Sequence, residues 1–422
     1  IITAGGITLH SLRYKRLPTD VETIVQRTPV MSKKLDIDKL KIKTVEGVDA
    51  QREELIELSR RIHQNPEIGF KEVKASGWLT EYLQGNGFQV ERGICQLATA
   101  FRGSFGSGKP GIALLAEYDA LPEVGHACGH NIIATAAVGA AVALRSAIEE
   151  AGGSVVVIGT PAEELYGGKA IMAERGAFTN IDAAMIVHPS IVDMASIQAL
   201  ACVGLEVEFR GKAAHAAAFP QEGINALEAM IQAFNGVNSL RQHVRERARI
   251  HGIITKGGEA PNIVPAYTAG SFLVRAEDDI YLDELRRKVL NCFHAASLAT
   301  GAHLDYKWTE YYAPLKTNRI LAELFTGNME VLGRNVAPLF ERALGSSDVG
   351  NVSALVPTIH PMIAIAPPDV LPHSPEFAMA AAAEEGNRGL IDGAKAMAMT
   401  VVELIAQPEI MASIKEEFFA AK

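Results

Sequence analysis

The segment Gly125-His126-Ala127-Cys128-Gly129-His130-Asn131 puts a thiol and an imidazole two residues apart on a glycine-containing turn. Thiolate and imidazole are ordinary ligands of zinc and other borderline divalent ions. Taken alone, the turn is either part of a metal site or a loop that merely contains a cysteine and two histidines. Three further features favour the metal. Glu163-Glu164 follow Thr160-Pro161-Ala162 just beyond an apolar strand, His188 directly follows a second, and Asp119 lies three residues past a third. Ligand sites in open α/β sheets gather at the carboxyl ends of strands, so these residues are expected at one sheet edge. His373 stands in Leu371-Pro372-His373-Ser374-Pro375, where Ser374 can cap a helix with Pro375 at its first position. His215 in GKAAHAAAFP is a further candidate, whereas His360 in TIHPM reads as a partly buried packing histidine.

Two other chemistries fit some of these residues. Cys128 could be a nucleophile with His126 or His130 as its base, which leaves Glu163, Glu164, His188 and His373 without a purpose. A protein that only binds a metal or a ligand is the other alternative. Structural zinc sites, however, are usually closed by four Cys or His ligands, and this set mixes in carboxylates.

The elements that must position these residues alternate. Apolar runs Ile112–Ala116, Val155–Gly159 and Ala183–Val187 read as strands, and the Ala-rich stretch Ile132–Glu150 as a buried helix. An earlier helix carries Leu55, Leu58 and Ile62 and stops before Pro66. This order predicts an α/β sheet with covered faces. After Ala201 the pattern changes. Leu205-Glu206-Val207-Glu208-Phe209 alternates as a half-exposed strand, which could be an open or a blunted sheet edge. A long helix over Glu222–Arg247, strands at Ile250–Thr255 and Ala266–Arg275, a helix at Leu282–Ala299 and a strand from His303 follow. Strand, helix, strand, strand, helix, strand is the order of a split βαβ, ferredoxin-like unit. Arg241, Arg245, Arg247 and Arg249 read as a solvated face. Helices and the apolar strand Met362–Ala366 resume the first pattern.

The 422-residue chain has 40 Lys plus Arg against 49 Asp plus Glu, a formal charge of −9 that offers nothing to a nucleic-acid backbone. Its longest apolar run, Ile132–Leu144, has 13 residues, short of the roughly 20 of a membrane-spanning helix. Four cysteines are too few for a disulfide scaffold, and a reduced, cytoplasmic location is expected. Met31 opens a start-like MSKKLDIDKL, so residues 1–30 are expected to be a loose extension.

Taken together, HACGHN, TPAEE, RGKAAHAA, HGIITKGGEAPNIVP, SSDVGNVS and HSPEF resemble the metal-dependent peptidases and amidohydrolases that include aminoacylase, carboxypeptidase G, hippurate hydrolase and the auxin-conjugate hydrolases. The likeness is to the branch whose metal motif carries cysteine, and within it to aminobenzoyl-glutamate hydrolase subunits and β-alanyl-lysine dipeptidase-like proteins. It covers residues 47 to 408 or so. The resemblance implies a mixed-sheet α/β catalytic domain, like that of zinc peptidases, in two parts (47–200 and 313–408). An inserted α+β lid and dimerisation domain (201–312) would separate them, with an N-terminal extension outside the core (1–46) and a C-terminal tail (409–422). It implies two divalent ions per subunit, zinc or manganese, held by Cys128, His130, Glu164, His188 and His373. Glu163 would be the general base for a metal-bound hydroxide, and Asp119 would fix a ligand imidazole. His215 and Asn262 would contact substrate, His215 in the active site of a neighbouring subunit of a homodimer. Ser346 and Ser347 could supply further donors. The implied substrate is a small N-acyl or N-aminoacyl amino acid, with no nucleic-acid or membrane partner. Relatives place a histidine before the acid of the strand-end motif, whereas this chain reads Ala116-Glu117-Tyr118-Asp119, which leaves the bridging ligand open.

Overall fold

Every residue of strand β3 (Gly111–Ala116) is buried, as expected of a run that is apolar on both sides of the pleat. The computed structural model describes residues 35–338 and 345–421. Around β3 lie β1 (Gln89–Arg92), β2 (Phe101–Gly106), β4 (Ser154–Gly159), β5 (Ala183–Met185) and, from late in the chain, β11 (Thr358–Ile359), in the order β1-β2-β4-β3-β5-β11. β4, β3, β5 and β11 run parallel, while β1 and β2 are antiparallel. A short parallel pair, β6 (His188–Ser190) with β12 (Met362–Ala364), lies beyond the main sheet.

Side chains alternate across a strand, and Ala113 and Leu115 join Val156, Ile158, Met172, Phe178 and Val352 in one apolar cluster. The helix His130–Ala143, buried at every position, packs on β3 and β4 and is itself covered by the helices Arg52–His63 and Glu384–Ala406. The helix expected over Ile132–Glu150 divides at Leu144, where the segments His130–Ala143 and Arg145–Ala151 bend by 43°. No single helix among the described residues is long and apolar enough to cross a membrane.

The strands β7 (Ala201–Arg210), β8 (Arg249–Lys256), β9 (Tyr267–Ala276) and β10 (His303–Tyr312) form a wholly antiparallel sheet in the order β10-β7-β9-β8. Helices Ala226–Leu240 and Asp279–Thr300 pack on it, with Leu205, Val207, Phe209, Met230, Phe272 and Phe293 in a separate core. The alternation of β7 is observed, but β7 is interior; the edges are β8 and β10. The long helix expected at Glu222–Arg247 is shorter at both ends. Asn225 caps its start by accepting from the amides of Leu227 and Glu228, and Val244 turns extended after a tight turn at Arg241–His243.

The folded core begins ahead of residue 47. Helix Ile37–Ala50, capped by Asp36, buries Leu40, Thr44 and Val48 against the Glu384–Ala406 helix. Apolar positions spaced by a helical turn give it a face that must be covered, so residues 37–46 are part of the fold and not an extension. The expected loose segment 1–30 lies outside the described residues. At the other end, residues 409–422 belong largely to a helix, Pro408–Ala420, with Met411, Ile414 and Phe418 buried.

Candidate metal centre

Because β3, β4 and β5 are parallel, their carboxyl ends lie along one edge. β3 leads into Glu117 and Asp119, β4 into Glu163 and Glu164, and β5 into His188 at the start of β6. Cys128 and His130 arrive on the turn that opens the His130–Ala143 helix. Between them Gly129 has φ +79°, and a Cβ there would stand 2.7 Å from Pro189 Cγ. Only glycine fits that left-handed, crowded position. His373 comes from the loop beyond β12, held by its amide on Ala127 O at 2.9 Å.

The five expected ligands converge. Cys128, His130 and His188 offer donor atoms within 4.8 Å of one another, and so do Cys128, Glu164 and His373. Sγ of Cys128 is 3.4 Å from His188 Nε2, His130 Nε2 is 3.7 Å from Glu164 Oε1, and His373 Nε2 is 3.7 Å from Glu164 Oε2. Donors about 2.0–2.3 Å from one tetrahedral ion stand roughly 3.3–3.8 Å apart, so these spacings suit a shared cation. His130 Nε2 and Glu164 Oε1 are also buried without a hydrogen-bond partner, an unfavourable state that coordination would relieve. Sulfur, imidazole and carboxylate donors together fit zinc or manganese.

Orientation comes from the outer contacts. Asp119 Oδ1 bonds His130 Nδ1 at 2.9 Å while its Oδ2 accepts the amide of Glu164 at 3.0 Å. His188 Nδ1 donates to Pro189 O at 2.7 Å, which leaves Nε2 as the lone-pair nitrogen beside Cys128. Burial pushes His188 down to about 4 and the Cys128 thiol far up. At His130, burial is outweighed by Cys128 and Asp119, which raise it.

Glu163 faces a second group. It offers an oxygen within 4.8 Å of donors from Glu117 and Asp348, and of His130 and Glu164. Burial and the charges of Glu117 and Asp348 push its carboxyl well above the usual range, against the pull of Lys169. Ala162, just before it, has φ +61° and donates its amide to buried Glu72 at 2.9 Å. Gly168 closes the turn behind, where a Cβ would fall 1.7 Å from Pro161 O. Burial alone would raise Glu117, but Lys169 and the imidazoles of His130, His188 and His360 hold it at about 2.

His215 and Asn262 lie together on the antiparallel sheet's loops, both exposed. The amide of Ala216 donates to Asn262 O at 3.0 Å, and His215 Nδ1 accepts from Ala217 and Ala218. Among the described residues no hydrogen bond or ion pair joins either to the Cys128 cluster. Ser347 caps locally toward Val349 N at 3.3 Å, and Ser346 Oγ is buried on the same turn, next to Asp348. His360, read as a partly buried packing histidine, is fully buried at 2% exposure, its ring 5.4 Å from that of His188. Residue reading gave no role to the side chains of Glu117, Lys169 and Asp348, although Glu117 directly follows the apolar run IALLA and Asp348 directly follows Ser346-Ser347.

Residues 113–386 match peptidase family M20/M25/M40. The chain is 37% identical to the Xaa-Arg dipeptidase of Mus musculus over 408 residues, 92% of this chain and 94% of that one. It is 34% identical to a p-aminobenzoyl-glutamate hydrolase subunit of Escherichia coli (strain K12), over 65% of this chain and 62% of that one. Among solved structures, a Bacillus subtilis protein described as a dinuclear metal binding peptidase of the M20 family shares the fold, with a TM-score of 0.66 and 20% identity over 85% of this chain and 99% of that one. The protein therefore belongs to peptidase family M20/M25/M40 and is a metal-dependent hydrolase of amide bonds.

Proposed function

We propose that this chain is a dinuclear-metal dipeptidase cutting the amide of an N-aminoacyl amino acid, with a basic C-terminal residue as the preferred class. The observation that carries the centre is the convergence of Cys128, His130, Glu164, His188 and His373 in two donor sets that share Cys128, with Glu163 alongside. Cys128, common to both sets, would help hold the ions together with His130, Glu164, His188 and His373. The basic preference rests on the 37% identity to the mouse Xaa-Arg dipeptidase. Amides of aminobenzoyl-glutamate type are the second reading, on the 34% identity to the bacterial hydrolase.

Two divalent ions, zinc or manganese, would polarise the substrate carbonyl and make water acidic near neutral pH. Glu163 takes the proton from the attacking water and gives it to the departing amine, a task suited to a carboxyl whose pKa is raised by its surroundings. Asp119 holds the imidazole of His130 in the tautomer that presents Nε2. His215 and Asn262 contact substrate from the inserted domain (201–312), and Ser346 and Ser347 line the end near Asp348. The exposure of His215 and the lack, among the described residues, of any hydrogen bond or ion pair from it to the cluster support action in the site of a second copy, hence a homodimer. Strand β8, an open edge carrying Ile253 at 64% and Ile254 at 40% exposure, supports the same assembly. A nucleophilic Cys128 would leave Glu164 and His373, which converge on the same thiol, without a purpose, and this supports the ligand role. A cytoplasmic location completes the proposal.

The test is a hydrolysis screen of Xaa-Arg and β-alanyl-lysine dipeptides, aminobenzoyl-glutamate, hippurate and acetyl-amino acids, with manganese and zinc supplied separately. Dipeptides ending in arginine or lysine are expected to turn over fastest. EDTA or phenanthroline should abolish the activity, and the metal should restore it. Hydrolysis that survives both chelators would overturn the metal mechanism and return Cys128 to candidacy as a nucleophile.

A further inference from the structure

Lys169, in the helix Gly168–Glu174, turns both its amide and its ammonium inward. The ammonium stands 2.6 Å from Glu117 Oε1 and 2.7 Å from Asp348 Oδ1, and the amide donates to Asp348 Oδ2 at 2.8 Å. None of the three side chains is more than 1% exposed. A charge buried this deeply is strongly unfavourable unless paired, yet one carboxylate would neutralise it. Two are present, and a third, Glu163, offers an oxygen within 4.8 Å of theirs. Three converging carboxylates are a donor set for a hard cation, and the lysine supplies the positive charge beside them. A compact ammonium with three donors suits this place better than a planar guanidinium.

The grip on Glu117 has a direction. With Oε1 on the ammonium, Oε2 faces the metal centre and lies 3.5 Å from His130 Nε2, the nitrogen that Asp119 leaves free. We infer that Lys169 is a positioning residue of the metal centre, whose ammonium fixes the Glu117 oxygen facing His130 and docks the Asp348 turn against the same point. This inference rests on the metal-centre reading above. Lys169 touches no donor of the two ligand sets and acts through Glu117. In its absence three carboxylates would face one another unscreened, and Glu117 would lose the contact that sets its plane.

The test uses the full chain and needs no substrate. Wild type, Lys169→Met, Glu117→Gln and the double variant are stripped with EDTA and titrated with Mn²⁺ by calorimetry. Electron spin resonance then reads the coupling between the two bound ions. Glu117 Oε2, 3.5 Å from the His130 nitrogen that would face a cation, is an outer contact of that ligand, and removing such contacts typically weakens metal binding about 10–100-fold. That loss is expected in each single variant, together with an altered spin coupling. Because Lys169 acts through Glu117, the double variant should lose no more than about twofold beyond either single. Where a substrate is turned over, Lys169→Met should lower kcat and leave KM nearly unchanged. A folded Lys169→Met with wild-type Mn²⁺ affinity and coupling overturns the inference, as do losses that multiply in the double variant. If Lys169→Met does not fold, Glu117→Gln decides alone, and unchanged Mn²⁺ affinity there is equally fatal. Wild type that binds no Mn²⁺ sinks the metal-centre reading itself. Wild type that binds two ions while the variants are indifferent sinks only the role given to Lys169.

Discussion

Glu163 and Glu164 are adjacent in the chain but differently surrounded. Glu164 turns its oxygens to His130 and His373 and has its amide held by Asp119, while Glu163 shares its space with Glu117 and Asp348. Environment separates a ligand from a proton carrier when the side chains are identical. Glu163→Gln should therefore keep both metal ions while kcat falls by about 10²–10⁴. Elemental analysis beside a rate assay checks this, since metal lost in step with activity would make Glu163 a ligand instead. The converging residues were legible because each sits in a short motif or at a strand end. Lys169 was not. It lies between a glycine and an alanine, and Asp348, which explains it, is 179 positions away. His360 packs, as read, but a histidine between a strand and a proline shows its neighbour, His188, only in three dimensions.

At the scale of elements, the alternation of apolar runs with helices predicted the parallel centre of the sheet, and the split βαβ order predicted the antiparallel one. Both are observed. Boundaries were less legible, because they depend on caps and turns. Asn225 as a cap cannot be told from Asn225 inside a longer amphipathic run without its bonds to Leu227 and Glu228. The helix Ile37–Ala50 was missed altogether. Its apolar positions are few and separated by lysines, and its buried face is defined only by the Glu384–Ala406 helix that covers it. Leu40 is 2% exposed at that contact, and Leu40→Ala should lower unfolding stability by about 2–5 kcal/mol. Denaturant titration measures it, and a change below about 0.5 kcal/mol would mean the helix is not part of the cooperative core.

For the molecule as a whole, stability depends on carboxyls buried near the centre. Glu72, fully buried, accepts from Thr99 Oγ and Ala162 N, yet burial pushes it from 4.5 up to about 7. A carboxyl raised on folding stabilises fully below its unfolded value, and this contribution is lost as pH climbs through the folded one. Between about pH 4.5 and 7.5 the metal-free wild type should lose roughly 3 kcal/mol more than Glu72→Gln. Parallel slopes of unfolding free energy against pH for the two proteins would contradict it. Assembly is the other property at this scale. Sedimentation should give a dimer, Ile253→Lys should shift it toward monomer, and activity should fall with the dimer if His215 serves a second copy. A fully active monomer would exclude that role.

Asp119 yokes a histidine from the start of one helix to the backbone of a glutamate that follows a different strand. A nudge at either end is passed to the other through a single rigid carboxyl group. If each donor set holds a cation, the two positions would be mechanically geared: tightening, loosening or losing one would alter the seating of its neighbour.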